Sequence, residues 1–186
     1  MRMFLRQSTV GREPLAIAMS GVRMGERLLQ IGIDTPAVTG LLAAKPGLSG
    51  ESSIVVADEP TAARARRAVA DTSANVDIRV QALSSLPFAD ASFDLIVIND
   101  RGGETLTAPA ATVLLADCRR VLRSGGRLVV IGKGSASGLA ALLHSRKEPT
   151  GPEASEQALQ RAGFRAVRML GDRDGYRFVE GLHVTG

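Results

Sequence analysis

The chain has 186 residues, 45% of them hydrophobic, enough for one compact domain with a substantial core and too few for two comfortable ones. A net charge of +4 and an aromatic content of 3% argue against a dedicated nucleic-acid binder, which gathers its cations in a strip and adds stacking rings. One cysteine, Cys118, and two histidines, His144 and His183, exclude an intramolecular disulfide and a Cys/His metal site, and no stretch approaches the ~18 apolar residues of a membrane-crossing helix.

Residues 1–11 read as an N-terminal arm without the apolar core and cleavage site of a secretory signal, and Met1, Met3 and Phe4 suit it to contact with another protein. With its unpaired cysteine, the chain is expected in the reducing cytoplasm. A single domain covers residues 12–186. Leu15, Ile17, Ala18 and Val22 give Arg12 to Met24 a helical period, broken by Gly25-Glu26 before a short strand at Leu28 to Ile31. Helix Pro36 to Ala44, strand Ser53 to Ala57 and helix Pro60 to Ala70 follow, and Val76, Ile78 and Val80 alternate as a third strand. Phe93 to Ile98 is a fourth, Ala108 to Leu122 a helix ended by Ser124-Gly125-Gly126, and Arg127 to Ile131 a fifth strand. Helix Gly138 to Ser145, a loop at Lys147 to Pro152 and helix Glu153 to Ala162 come next. Arg165 to Leu170 and Tyr176 to Val184 then face each other across Gly171 to Gly175 as a β-hairpin. Apolar strands alternating with helices predict an α/β fold, a mostly parallel sheet covered on both faces, closed by an antiparallel hairpin.

Two stretches are distinctive in combination: Leu86-Pro87-Phe88-Ala89-Asp90-Ala91-Ser92-Phe93-Asp94 before strand four and Arg120-Val121-Leu122-Arg123-Ser124-Gly125-Gly126 before strand five. With the βα alternation, they make residues 12–184 resemble the class I S-adenosylmethionine-dependent methyltransferases, in particular the small-molecule, type 11-like branch with its Rossmann-like fold. The resemblance implies S-adenosylmethionine as cofactor and assigns positions to it. The acid that ends strand one in that family is Gln30 here, and its three loop glycines fall on Gly32, Asp34 and Pro36. The ribose-binding acid falls on Asp58, and the acid that recognises adenine falls on Ala82. Asp34 tolerates a left-handed backbone, whereas Thr35-Pro36 is a good helix start that removes room and amide donors from a cofactor loop. These changes predict weakened or lost cofactor binding.

Beyond strand four, Asn99, Asp100 and Gly102-Gly103 lie where open α/β sheets bind ligands, with Asp100 a candidate general base and a polar turn the alternative. Asp58 has an alternative too, as the cap of the helix after it. Lys133 sits at the cleft rim or in solvent, since Gly132-Lys133-Gly134-Ser135 lacks the spacing of a phosphate loop. His144 reads as a helix cap, and His183 and Tyr176 as packing residues. Two function classes follow. One is a methyltransferase with an unspecified acceptor; the other is a non-catalytic scaffold or assembly subunit that uses its arm or basic helices to hold a protein partner.

Overall fold

The computed structural model describes residues 12–103, 105–106, 110–134 and 152–185. The expected helix Gly138 to Ser145, His144 and the N-terminal arm lie outside the described residues. Helix α1 (Arg12–Ser20) stops four residues before the predicted Met24. Gly21 takes φ +63°, its N–H meets the Ala18 carbonyl at 3.2 Å, and the chain leaves the helix there rather than at Gly25.

Strand β1 (Arg27–Ile31), helix α2 (Pro36–Ala44), strand β2 (Glu51–Val56), helix α3 (Glu59–Val69) and strand β3 (Val76–Val80) follow as expected to within two residues. Both α2 and α3 start on a side-chain cap with proline in the first turn: Thr35 accepts from the Val38 N–H and Asp58 from the Thr61 N–H. Strand β4 (Phe93–Asp100) runs two residues past Ile98, so Asn99 and Asp100 belong to the strand and not to a turn after it.

Helix α4 (Ala111–Val121) passes directly into strand β5 (Leu122–Lys133). Leu122 is already extended, at φ −75° and ψ 134°. Ser124-Gly125-Gly126 is therefore an irregularity inside the strand and not a helix stop. Gly125 takes φ +75°, and a Cβ on Gly126 would lie 2.8 Å from the Arg123 carbonyl oxygen. Helix α5 (Pro152–Arg161) leads to the hairpin of β6 (Arg165–Arg173) and β7 (Tyr176–Leu182). Its loop is only Asp174-Gly175, with φ +57° and +78°, the positive pair a two-residue hairpin turn requires.

The described strands form one sheet in the order β3-β2-β1-β4-β5-β7-β6, and β7 alone runs against its neighbours. Helices α1 and α2 cover one face through Ala16, Val38 and Leu42 against Leu28, Val97 and Val129. Helices α4 and α5 cover the other through Leu114, Cys118 and Leu159 against Ile96, Leu128 and Val179. Helix α3 closes a smaller cluster on Ile54 and Val56. Each fully buried Leu, Ile or Val side chain contributes about 1.5–3 kcal/mol relative to exposure, so these layers dominate the fold's stability. Among the described residues no helix is long and apolar enough to cross a membrane.

Candidate functional site

The order of the strands reverses between β1 and β4, because the chain builds β1, β2 and β3 outwards and then returns to the other side of β1. At such a switch point the loops that leave the two strands diverge and open a crevice beyond their carboxyl ends. Every position the sequence singled out on β1 and β4 lies there.

Gln30 and Asn99 share the α1–α2 face of the sheet, since β1 and β4 are parallel with Gln30 opposite Val97 and Ile31 opposite Ile98. Gln30 is fully buried and its Nε2 donates to the Thr39 carbonyl at 3.2 Å. A glutamine here replaces a charge by a neutral group that holds α2 to the sheet. Gly32 takes φ +71°, and a Cβ on it would stand 3.3 Å from the Asn99 carbonyl oxygen, so glycine suits both the turn and the close approach of β4. Asn99 Nδ2 donates to the Gly32 carbonyl at 3.1 Å and ties the two loops together.

Three backbone donors along this loop and the first turn of α2 are engaged within the chain. The Gly32 N–H meets the Val55 carbonyl at 2.8 Å, the Asp34 N–H meets Thr39 Oγ1 at 3.2 Å, and the Val38 N–H meets Thr35 Oγ1 at 3.3 Å. Pro36 has no N–H to give. The Asp34 carboxylate, only 4% exposed, is matched by a residue that the sequence does not single out, Arg101, whose Nη1 reaches Asp34 Oδ1 at 3.2 Å. The guanidinium carbon of Arg101 lies 4.6 Å from the centroid of the Tyr176 ring. Four polar atoms on these side chains are buried without a partner among the described residues: Gln30 Oε1, Asp34 Oδ2, Asn99 Oδ1 and Arg101 Nε. Nothing local in the sequence marks Arg101, which is 67 positions from its carboxylate. The nearest signal is an acid in a glycine position, which asks for a cation nearby.

Asp58, Asp100, Ala82 and Lys133 lie around this crevice with different surroundings. Asp58 is exposed, and its Oδ1 accepts from the Thr61 N–H at 2.7 Å; that bond, followed by the Thr61 side chain, holds its carboxyl below the usual range. Asp100 is buried, with Oδ1 accepting from the Thr105 N–H at 2.8 Å and Oδ2 from the Leu106 N–H at 3.3 Å, so both oxygens organise the turn after β4. Ala82 is exposed on the irregular segment after β3 and carries no carboxylate. Lys133 is exposed at the end of β5, on a β-ladder partner of Tyr176. A groove of about 340 Å³ also opens toward the amino ends of β2 and β3, among Ser53, Asn75, Asp77, Arg79, Phe88 and Ser92, at the opposite end of these strands from the crevice.

The S-adenosylmethionine that the resemblance implies fits these residues poorly. The carboxyl end of its methionine part would meet a buried carboxylate at Asp34 and a helix start whose Val38 N–H is used and whose Pro36 has none to give. Its adenine amino group would find no acid at position 82. Only Asp58 offers the expected group, with one oxygen already on a backbone N–H.

A family model described as a methyltransferase domain matches residues 29–126. No curated protein sequence matches significantly. Among solved structures, the chain is similar to an S-adenosylmethionine-dependent methyltransferase from Aquifex aeolicus, with 18% identity and a TM-score of 0.72 over 92% of this chain and 89% of that one. It is similar to one from Methanosarcina mazei, with 18% identity and a TM-score of 0.63 over 89% and 95% of the two chains. The cyclase SpnF gives 17% identity and a TM-score of 0.69 over 94% and 80%.

Proposed function

The chain belongs to the class I S-adenosylmethionine-dependent methyltransferase family, and from that premise we propose that it is a methyltransferase-like protein whose hold on S-adenosylmethionine is weakened or lost. The observation that carries this reading is the buried Asp34 carboxylate, ion-paired to Arg101 in the loop that the family keeps open with glycine. A missing charge-assisted hydrogen bond at Ala82 removes about 1.5–3 kcal/mol more of cofactor affinity. If the cofactor enters, Asp58 and the backbone around Gly32 to Thr35 would hold it beside Asn99. It would then supply an electrophilic methyl group, and the protein would contribute orientation of the acceptor and exclusion of water. The acceptor, a small molecule or a protein, is left open.

The second reading is a non-catalytic, cytoplasmic pseudo-methyltransferase that serves as a scaffold or assembly subunit. It is favoured by the Asp100 carboxylate, the candidate general base, which has both oxygens on backbone N–H groups. The exposed Arg64 and Arg66 of α3 would then belong to the contact surface. The cyclase among the structural neighbours illustrates that this fold is not tied to one chemistry.

Calorimetric titration with S-adenosylmethionine and S-adenosylhomocysteine tests the proposal. Dissociation constants in the millimolar range or no heat at all are expected. Micromolar binding that disappears in Asp58→Ala would overturn the weakened-cofactor reading and exclude a purely structural role.

A further inference from the structure

Two ion-pair clusters that tie this fold together, on Arg127 and on Arg120, are closed. Arg127 reaches both carboxylate oxygens of Glu26, at 2.8 and 2.9 Å, and Glu26 also accepts the Arg23 N–H at 2.8 Å. Arg120 meets Asp117, Asp90 and the carbonyls of Leu86 and Phe88. The Asp34–Arg101 pair is built differently. It has one contact, at 3.2 Å, and leaves Asp34 Oδ2 and Arg101 Nε buried with no partner among the described residues. Two further acceptors on the same stretch of the sheet, Asn99 Oδ1 and Gln30 Oε1, are buried and unpartnered in the same sense.

The exposures of the two partners also differ. The Asp34 carboxylate is 4% exposed and requires a cation, because a buried charge left alone is strongly disfavoured. The Arg101 side chain is 37% exposed and is attached to the loop after β4, so swinging out returns its covered part to water. What remains without it is a buried carboxylate with one oxygen unpartnered among the described residues and an aromatic face at Tyr176. Those are the elements that recognise an organic cation.

Resting on the reading that this crevice is the family's ligand cleft, we propose that Arg101 is an internal occupant of a cation subsite formed by Asp34 and the Tyr176 ring, so that a cationic ligand group enters only by displacing it. The subsite favours guanidinium or primary ammonium groups. Their N–H donors can engage both oxygens of the Asp34 carboxylate, whereas a sulfonium has no N–H and gains only charge attraction and the ring contact. The arginine thus raises the threshold for a ligand whose cationic group uses this subsite, since binding must overcome the internal contact first.

Removing the occupant should leave a hole that a small cation can fill. The test titrates ethylguanidinium chloride into wild type and Arg101→Ala, read by calorimetry and by thermal melting, with sodium chloride as the ionic-strength control. The expected result is saturable binding by Arg101→Ala, at least about tenfold tighter than to wild type, with a rise in melting temperature. The double variant Arg101→Ala with Asp34→Asn should lose it. A folded Arg101→Ala that shows no saturable binding, or binding equal to that of wild type or of the double variant, overturns the proposal. If Arg101→Ala does not fold, Arg101→Ser is titrated in the same way, and the same results support or overturn the subsite. Failure of the subsite and failure of the cofactor reading are distinguishable. Micromolar binding of S-adenosylmethionine beside uptake of ethylguanidinium leaves the subsite standing and removes the weakened-cofactor reading, whereas absence of ethylguanidinium binding removes the subsite whatever the cofactor titration gives.

Discussion

Gly40 of α2 lies so close to α3 that a Cβ on it would stand 2.4 Å from the Ala68 carbonyl oxygen. That oxygen belongs to the backbone and cannot move aside without shifting a helix. Gly40→Ala, despite its better helix propensity, is therefore expected to destabilise the protein by about 1–3 kcal/mol, the usual effect of overpacking. Urea unfolding measures it. A variant as stable as wild type would mean that α2 and α3 separate freely.

At Asp58 the cap and the ribose role separate by substitution. Asparagine caps a helix as well as aspartate does, whereas alanine cannot. Asp58→Ala should lower the melting temperature and Asp58→Asn should leave it nearly unchanged, since Oδ1 accepts from the Thr61 N–H in the native chain. Equal melting temperatures for all three proteins would show that the cap contributes nothing.

Acid should weaken the fold through identifiable carboxylates. Burial pushes the Glu26 and Asp94 carboxyls up, but hydrogen bonds from Arg127 to Glu26 and from Arg123 and Arg27 to Asp94 outweigh it and hold both below their ordinary values. A carboxyl lowered in the folded state stabilises fully above its unfolded value, and that stabilisation is lost as pH falls through the folded value. The urea midpoint should thus drop between roughly pH 5 and pH 2. Glu26→Gln and Asp94→Asn should each have a lower midpoint at pH 7 and a flatter acid limb. An unchanged limb in both would assign acid sensitivity elsewhere.

His183 predicts a second pH effect at milder acidity. Burial, followed by the charge of Arg119, lowers its pKa, so the folded state takes up a proton less readily than the unfolded chain does. Stability should therefore decline as pH falls below about 6.5, the ordinary histidine value. His183→Leu should remove that part of the decline between pH 7 and pH 5. Imidazole resonances followed through the same range give the folded pKa directly, and a value above 6.5 would reverse the sign.

Most of the architecture is legible in the sequence because its signals are local. Apolar runs such as Leu95 to Ile98, caps such as Thr35-Pro36 and the pairing of Tyr176 to Leu182 with Arg165 to Arg173 each follow from neighbouring residues. The boundaries that shift have a common reason. Gly21, Gly25, Gly125 and Gly126 are all plausible breakers, and only packing decides which of them ends an element. Val121-Leu122-Arg123 continues a helical period, yet Leu122 pairs with Phe93 in the sheet. The site is half legible. Gly32, Asp34, Asp58 and Asn99 can be marked by position, but Arg101 acquires its role only when β4 lies beside β1. The chemistry of Asp100 likewise depends on where the N–H groups of Thr105 and Leu106 fall.

The place of β7 constrains how the molecule is made. It follows β6 in chain order, yet it sits between β5 and β6, and among the described residues β6 has no other neighbour in the sheet. A growing chain therefore carries β6 as an unpaired segment until the residues of β7 have emerged, and the β5 edge stays open for the same interval. Completion of that side of the sheet waits for β7, a single strand that closes two gaps at once.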